Sequence, residues 1–181
     1  LKMLEESLII YKKMTTEETP SFNGEFYQID GAINQPKPIQ KPYPPLWVCG
    51  GGEKVTLKLL AKYGDYGNWD VDVDGFIQKS NILQNHCENV GRDFNEIGKT
   101  LHTNVLIADN QNDLDRKVEK LSTYTNIPKD YYYERPLIGT KDQVFETIDQ
   151  YKEAGCIYLI AYIPDIVWGD TVNYLSELNQ S

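Results

Sequence analysis

The apolar residues of this chain alternate between short continuous runs and longer stretches with helical spacing. Short runs bounded by glycine and proline are typical of buried strands, and recurrence at every third or fourth position is typical of helices. The predicted strands are residues 46–49, 66–69, 101–107 and 157–163. The predicted helices include Leu1–Tyr11, 53–63, 75–90, the stretch around Leu114–Leu121, the stretch after Thr140 and that around Val172–Leu178. Thr140 with Gln143 predicts a capping box at the start of its helix, and the residues leading to Gly139 are predicted as a loop. Four successive strand–helix units predict parallel strands joined by right-handed crossovers.

Two α/β architectures fit this order of elements. One is a small doubly wound sheet, and the other is the C-terminal half of a (β/α)8 barrel. A complete barrel takes about 250 residues and rarely fewer than about 200, whereas this chain has 181. The chain also opens inside a helical pattern without a methionine, which we interpret as a fragment of a longer protein or a processed product.

The stretch 15–45 is predicted as a proline-rich insertion loop within a single domain that covers 1–181. It holds six of the nine prolines, and proline cannot donate the hydrogen bonds of a central strand. The Asn23-Gly24 pair favours the positive backbone dihedrals of a tight turn. We therefore expect a hairpin over residues 22–27, followed by an extended approach to the first buried strand.

Composition and charge exclude several classes of protein. There are 18 basic and 27 acidic side chains, so the net charge is −9, which argues against nucleic acid as the main partner. We find no apolar run of the roughly 18 residues that a membrane helix needs. Three widely separated cysteines, an odd number, are typical of thiols in a reducing compartment. These features predict an acidic, cytoplasmic protein with a single domain.

Gly50, Gly51 and Gly52 (the glycine bend) follow a predicted strand and precede a predicted helix. A strand that turns through glycines into a helix directs backbone N–H groups and the positive end of the helix dipole at one place, which favours an anion. Thr56 would add a hydroxyl and Lys54 a charge. The alternative is a tight turn without a ligand. No Gly-Lys-Ser/Thr follows, and Val55 replaces the third glycine of a dinucleotide fingerprint.

Other motifs are ambiguous or favour structural roles. Residues 70–75 match part of a calcium loop, but Asn81 stands where the bidentate glutamate belongs, so we interpret them as an acidic loop that caps the next helix. His86 and His102 lack metal-pair spacing and are predicted as surface or packed residues, and no metal site is expected. The three tyrosines at 131–133 are predicted either to line a pocket or to pack at the edge of a loop. Tyr158 and Tyr162 are interpreted as core or barrel-wall residues.

Several stretches, in this order, resemble the luciferase-like monooxygenase superfamily, in particular its coenzyme F-420 dependent branch. They read FNGEFY (22–27), PKPIQKP (36–42), PLWVCGGG (45–52), AKYGDYGNW (61–69), HCENVGRD (86–93) and IGTKDQV (138–144). The resemblance implies a (β/α)8 barrel that binds F-420 or FMN at the C-terminal ends of its strands, with F-420 preferred. It implies that Gly50, Gly51, Gly52 and Thr56 hold the cofactor phosphate.

The resemblance also implies that Asn68 and Trp69 face the flavin or the substrate; packing at the strand end is their alternative role. Lys37, Lys41 and Lys54 are candidates for the positive charge that a polyanionic cofactor needs.

On this resemblance the first four strands of the family are absent, and they normally carry the catalytic residues. No catalytic residue is therefore assigned. We expect an oxidoreductase or monooxygenase acting on a small organic substrate, with a non-catalytic half-barrel that binds a phosphate-bearing ligand or a partner chain as the alternative. A small doubly wound domain that binds NAD is a third possibility. A half-barrel leaves open strand edges, which predicts self-association or pairing with the missing half.

Overall fold

The computed structural model describes residues 2–178 and shows an α/β chain. Leu1, which was predicted to open the first helix, lies outside the described residues. The helices are α1 Lys2–Thr16, α2 Thr56–Tyr63, α3 Val73–Val90, α4 Gln111–Thr125, α5 Lys129–Tyr133, α6 Lys141–Glu153 and α7 Thr171–Glu177. The strands are β1 Phe22–Asn23, β2 Gln28–Ile29, β3 Trp47–Cys49, β4 Tyr66–Trp69, β5 Gly98–Ala108, β6 Leu137–Thr140 and β7 Cys156–Tyr162. None of the helices within residues 2–178 is long and apolar enough to cross a membrane.

The four predicted strands are confirmed as β3, β4, β5 and β7, but the predicted loop before Thr140 is wrong. Leu137–Thr140 forms the short strand β6, which pairs in parallel with the C-terminal end of β5, from Val105 to Ala108. Leu137 and Gly139 are buried on one side of it. A four-residue strand that contains a glycine carries too little alternation to be distinguished from a loop by sequence.

The chain divides into two compact units. The first comprises Leu1–Gly67 and Ile82–Ile97, and the second comprises Asn68–Asn81 and Gly98–Ser181. Strand β4 and helix α3 each contribute residues to both units.

The first unit contains the predicted hairpin, which is confirmed as the antiparallel pair of β1 and β2. The carboxylate of Glu6 in α1 accepts three backbone hydrogen bonds from the turn, from Glu25 (2.7 Å), Phe26 (3.0 Å) and Tyr27 (2.9 Å). Desolvation raises the pKa of Glu6, but these hydrogen bonds outweigh it and lower the pKa below its ordinary value. Helix α1 thus holds the hairpin in place.

Asp65 fixes the entry into β3. The backbone N–H of Leu46 donates to Asp65 Oδ2 at 2.7 Å, and the N–H of Asp65 donates back to the carbonyl of Leu46 at 2.8 Å. The hydroxyl of Tyr43 reaches Asp65 Oδ1 at 3.3 Å. The proline-rich approach therefore ends in a fixed position immediately before the strand that leads to the glycine bend.

The second unit is built around β5. The N-terminal part of β5 pairs in parallel with β7, and its C-terminal part pairs in parallel with β6. Helix α4 covers this sheet through a buried cluster, which consists of Leu106, Ala108, Leu114, Val118, Leu121 and Tyr132. The alternation of β5 therefore points one set of side chains at the helices and the other set away from them.

Two helix starts follow the sequence predictions. The predicted capping box at Thr140 is present, and the backbone N–H of Thr140 donates to Gln143 Oε1 at 2.9 Å. Asp72 caps α3, because its Oδ1 accepts from the backbone N–H of Gly75 at 2.8 Å. The acidic loop before α3 thus has the capping role predicted for it.

Asp165 is a fully buried carboxylate between β7 and α7. Its Oδ2 accepts from the Thr171 hydroxyl at 2.9 Å, and within residues 2–178 its Oδ1 has no hydrogen-bond partner. Burial raises the pKa of Asp165, although the Thr171 hydrogen bond and the charge of Lys117 act in the opposite direction.

We expect the contribution of Asp165 to the free energy of unfolding to fall as the pH rises. Because its pKa is raised on folding, the folded state holds more protons than the unfolded state between the ordinary and the raised pKa. The free energy of unfolding of Asp165→Asn, minus that of the wild type, should therefore increase as the pH rises from 4 to 7, measured by urea unfolding. The same difference for the exposed control Asp149→Asn should stay flat; parallel curves for Asp165→Asn and Asp149→Asn would contradict the assignment.

Candidate cofactor-binding site

The glycine bend joins β3 to α2 in the first unit. Gly50 has φ +108°, a backbone conformation that favours glycine. The prediction that the helix starts at residue 53 is wrong, since α2 begins at Thr56. The backbone N–H of Leu57 donates to the carbonyl of Gly52 at 3.0 Å, five residues back, and this wider turn occupies the residues before the regular helix.

The side chain of Thr56 packs against the glycine bend. A Cβ atom built on Gly52 would lie 2.8 Å from Thr56 Oγ1, and one on Gly50 would lie 3.7 Å from Thr56 Cγ2. A side chain at position 52 would therefore displace the hydroxyl. The structure thus brings Gly50, Gly52 and Thr56 together, and Gly51 lies half-buried between the two outer glycines.

The start of α2 has open hydrogen-bond donors. Within residues 2–178 the backbone N–H groups of Lys54, Val55 and Thr56 make no hydrogen bond. The N-cap residue is Val55, which supplies no side-chain acceptor. The first N–H groups of a helix carry the positive end of its dipole. These donors, beside the hydroxyl of Thr56, are suited to an anionic group.

The three candidate lysines of the first unit differ in their surroundings. Lys37 is already engaged, because its Nζ donates to the carbonyls of Met14 (2.9 Å) and Glu17 (2.5 Å) at the C-terminal end of α1. Lys41 and Lys54 are exposed. Lys54 is the candidate that lies within the turn leading into α2.

Asn68 and Trp69 lie in the second unit, where their side chains differ in role. Asn68 is half-buried, and its Oδ1 accepts from the Thr100 hydroxyl at 2.9 Å. Trp69 is only 2% exposed. Its ring packs edge-on against Phe76 at 5.1 Å, and its Nε1 has no hydrogen-bond partner among residues 2–178. This packing of Trp69 matches its alternative predicted role, which is packing at the end of the strand.

Strands β5 and β7 share one polar face. In their parallel register Thr100 lies beside Tyr158, and Asn104 lies beside Tyr162. Side chains paired in this way point to the same side of a sheet. Tyr158 and Tyr162 are 59% and 62% exposed, and His102, between Thr100 and Asn104, is also exposed. Thr100 itself is buried, and Ile160 lies beside His102 on this side. We call the set His102, Asn104, Tyr158 and Tyr162 the polar face.

Sequence reasoning missed the polar face. It treated His102 as an isolated histidine and the two tyrosines as core or wall residues. The signal that identifies the face is the alternation of His102 and Asn104 with Leu101, Thr103 and Val105, which are buried. A period of two that separates polar from buried residues marks a strand with one face open.

The remaining sequence candidates are engaged in structural contacts. Asp70 forms an ion pair with Arg135 (3.2 Å) in the second unit. Tyr131 lies under the Arg135 guanidinium at 4.3 Å, and the hydroxyl of Tyr133 donates to Asp115 at 2.8 Å. Desolvation, with the Asp115 hydrogen bond, raises the pKa of Tyr133 to about 12. Tyr131 and Tyr133 therefore connect α5 to Arg135 and to Asp115 of α4.

Comparison with known families identifies the class of this chain. The family described as luciferase-like monooxygenase matches residues 1–135. The chain belongs to the luciferase-like monooxygenase family.

Solved structures of similar fold include enzymes with two kinds of cofactor. An F420-dependent secondary alcohol dehydrogenase in complex with an F420-acetone adduct is 18% identical, with a TM-score of 0.73 over 90% of this chain and 56% of that one. The coenzyme F420 dependent tetrahydromethanopterin reductase from Methanopyrus kandleri is 13% identical, with a TM-score of 0.70 over 95% and 59%. A riboflavin lyase with modified FMN and riboflavin is 12% identical, with a TM-score of 0.75 over 98% and 56%.

These similarities settle the choice between the two α/β architectures. The chain has the fold of part of a luciferase-like (β/α)8 barrel, not of a small doubly wound domain. It spans little more than half the length of the structures that it matches.

Proposed function

We propose that this chain carries the phosphate-binding part of an oxidoreductase that uses coenzyme F-420 or FMN on a small organic substrate. The observation that supports this function is the set of open N–H groups at Lys54, Val55 and Thr56. They follow a bend in which Gly50 has a positive φ and a side chain at position 52 would meet the Thr56 hydroxyl. Backbone donors at a helix start bind phosphate without a dedicated cationic side chain. Gly50, Gly51, Gly52 and Thr56 are therefore proposed to hold the charged tail of the cofactor.

The residues present fit an anionic group, because they offer open N–H donors and a hydroxyl. The glycines let the backbone approach an oxygen closely, and the Thr56 hydroxyl lies on the same turn. The bound cofactor would supply hydride transfer or reaction with oxygen. The role of the chain's own residues is to bind the tail, to orient the ring system and to exclude water. Lys54 is proposed to add positive charge to a chain whose net charge is −9.

In the second unit, Asn68 is proposed to face the flavin or the substrate, as the family resemblance implies. Asn68 lies near the end of β4, and the hydroxyl of Thr100 orients its side-chain amide by a hydrogen bond. The polar face carries two exposed phenol groups and one exposed imidazole. Such a face suits a wet or ligand-filled space better than an apolar core. Trp69 is proposed to support Asn68 from the buried side of the strand.

We favour F-420 over FMN because the glycine bend and the Gly91-Arg92-Asp93 turn resemble that branch of the family. Two of the similar structures named above have F420 in their descriptions, and one has FMN. The two cofactors share an anionic phosphate-bearing tail. The proposed bend would accept either tail, so the choice between them depends on contacts to the rings.

We also propose that the polar face is covered in the working protein, by a second copy or by the rest of a barrel. The chain spans 56% of the alcohol dehydrogenase that it resembles. Exposed Tyr158 and Tyr162 are large side chains that a partner would bury. A cytoplasmic location is proposed as well, because Cys49, Cys87 and Cys156 are all free thiols.

Fluorescence titration of the 181-residue chain with F-420 and with FMN tests the proposed function. We expect saturable binding of at least one of them, tighter for F-420, with weak competition by inorganic phosphate and none by NAD. A chain that binds inorganic phosphate but neither cofactor would support the alternative of a non-catalytic phosphate-binding half-barrel. A chain that binds none of F-420, FMN and inorganic phosphate would contradict the proposal.

A further inference from the structure

Helix α2 has only eight residues, from Thr56 to Tyr63. A helix this short is about 12 Å long and does not stay formed by its own hydrogen bonds. No side chain caps its N-terminus. Its position, and with it the direction of its open N–H groups, must therefore be held by its neighbours.

The C-terminal half of α3 contacts α2 near its start through His86. The Nε2 of His86 donates to the carbonyl of Glu53 at 2.8 Å; a carbonyl can only accept, so this nitrogen carries the proton. A trans peptide is planar, and its C=O and N–H point in opposite directions. The carbonyl of Glu53 points at α3, and the N–H of Lys54 consequently points away from α3.

The turn that follows α3 contacts the end of α2 through Arg92. Its Nη1 donates to the carbonyls of Gly64 (2.7 Å), Ala61 (3.2 Å) and Leu60 (3.4 Å). Ala61 lies in the last turn of α2, where carbonyls lack intrahelical partners, whereas the carbonyl of Leu60 also accepts from the N–H of Gly64 at 2.9 Å. A positive charge at this end also complements the helix dipole.

The turn after α3 places Arg92 for this contact. Gly91 has φ +69°, its N–H donates to the carbonyl of Glu88 at 3.2 Å, and the N–H of Arg92 donates to the carbonyl of Cys87 at 3.0 Å. This pair of bonds is the Schellman arrangement, which needs a left-handed residue such as glycine. The His-Cys-Glu-Asn-Val-Gly-Arg sequence therefore encodes both ends of the contact with α2.

We propose that His86 and Arg92 are positioning residues for the glycine bend, a role that rests on the function proposed above. Arg92 fixes the C-terminal end of α2. His86 holds the carbonyl of Glu53, just before α2. The N–H groups of Lys54, Val55 and Thr56 stay open for an anion. Holding the turn by a carbonyl is what keeps the donors both ordered and available.

The test compares His86→Leu, His86→Gln and the matched control Asn85→Leu, which changes an exposed neighbour on the same helix. Glutamine keeps an N–H donor in the side chain, and leucine does not. Amide hydrogen exchange of the ligand-free chain should become about tenfold faster in His86→Leu at Leu57 and Leu59, whose N–H groups donate to the carbonyls of Gly52 and Val55. This is the change expected when a hydrogen bond of about 1.4 kcal/mol is lost. His86→Gln and Asn85→Leu should stay within about twofold of the wild type.

Fluorescence titration with F-420 and FMN gives the second readout. His86→Leu should bind about tenfold more weakly than the wild type, and His86→Gln should recover most of the affinity. Unchanged exchange at Leu57 and Leu59 in His86→Leu would overturn the inference, as would faster exchange with unchanged affinity. If the wild type binds neither cofactor, the proposed function fails instead, and the exchange data alone decide whether His86 orders the turn.

Arg92→Lys provides an independent variant for the other end of α2. An ammonium group keeps the charge but cannot span three carbonyls as the guanidinium does. We expect faster amide exchange at residues 60–64 and a several-fold weaker cofactor affinity, with the fold retained. Exchange equal to the wild type in this variant would overturn the role of Arg92.

Discussion

Gly50→Ala should weaken the binding of F-420 or FMN by about tenfold or more. The φ of +108° at Gly50 is a conformation that costs an alanine about 1–3 kcal/mol. The bend can relieve this strain only by turning its backbone, which moves the donors that follow it. A loss of about 1.4 kcal/mol in binding corresponds to a tenfold change in Kd. Fluorescence titration of the variant measures the effect.

Gly31→Ala is the matched control for this prediction. Gly31 also has a positive φ, +55°, and a Cβ there would meet nothing within 4 Å. It lies in the proline-rich loop, outside the glycine bend. This variant should lose a similar amount of stability and keep the wild-type Kd. Equal affinities of Gly50→Ala and Gly31→Ala would contradict a role of the bend in binding.

Lys117→Met should lower the free energy of unfolding by about 2–3 kcal/mol. The Lys117 side chain is 6% exposed, and its Nζ donates to the carbonyl of Ile107 (2.7 Å) and to Asp170 Oδ1 (2.6 Å), with Asp113 at 3.4 Å. Burial lowers the pKa of Lys117, but its acidic partners outweigh burial and hold the pKa above its ordinary value. Methionine keeps the length of the side chain and removes all three contacts. Urea unfolding at pH 7 measures the change.

Lys120→Met, on the same helix, is the control for this variant. Lys120 is exposed, and its ammonium lies 3.9 Å above the ring of Trp168. Removing an exposed contact of this kind costs about 0.5–1 kcal/mol. A Lys117→Met variant no less stable than Lys120→Met would show that the buried lysine does not hold the end of β5 to α4 and α7.

The order of strands and helices was predictable because strands β3, β4, β5 and β7 are continuous apolar runs or strongly alternating segments. The capping box at Thr140 and the cap at Asp72 were predictable because both depend on neighbours within three residues. Strand β6 was not, since its four residues gain their hydrogen bonds from β5, far away in sequence. The start of α2 was misplaced by three residues because the Gly52–Leu57 hydrogen bond replaces a regular helical turn.

The glycine bend was recognised from sequence because glycine spacing after a strand is a local signal. The contacts that surround it were not recognised. Lys37 was a candidate for the cofactor, but the structure places its Nζ on the carbonyls of α1. His86 was interpreted as a surface or packed residue, although it reaches Glu53, 33 positions away. Hydrogen bonds to backbone carbonyls have no sequence signature, because every residue has a carbonyl.

The most direct test of the central claim is a map of backbone amide chemical shifts in the 181-residue chain as F-420 or FMN is added. The account predicts that the largest changes fall on Lys54, Val55 and Thr56, together with the glycine bend. Amides of α4 and α5 in the second unit should move little. Saturable binding that leaves these three amides unchanged would contradict the account.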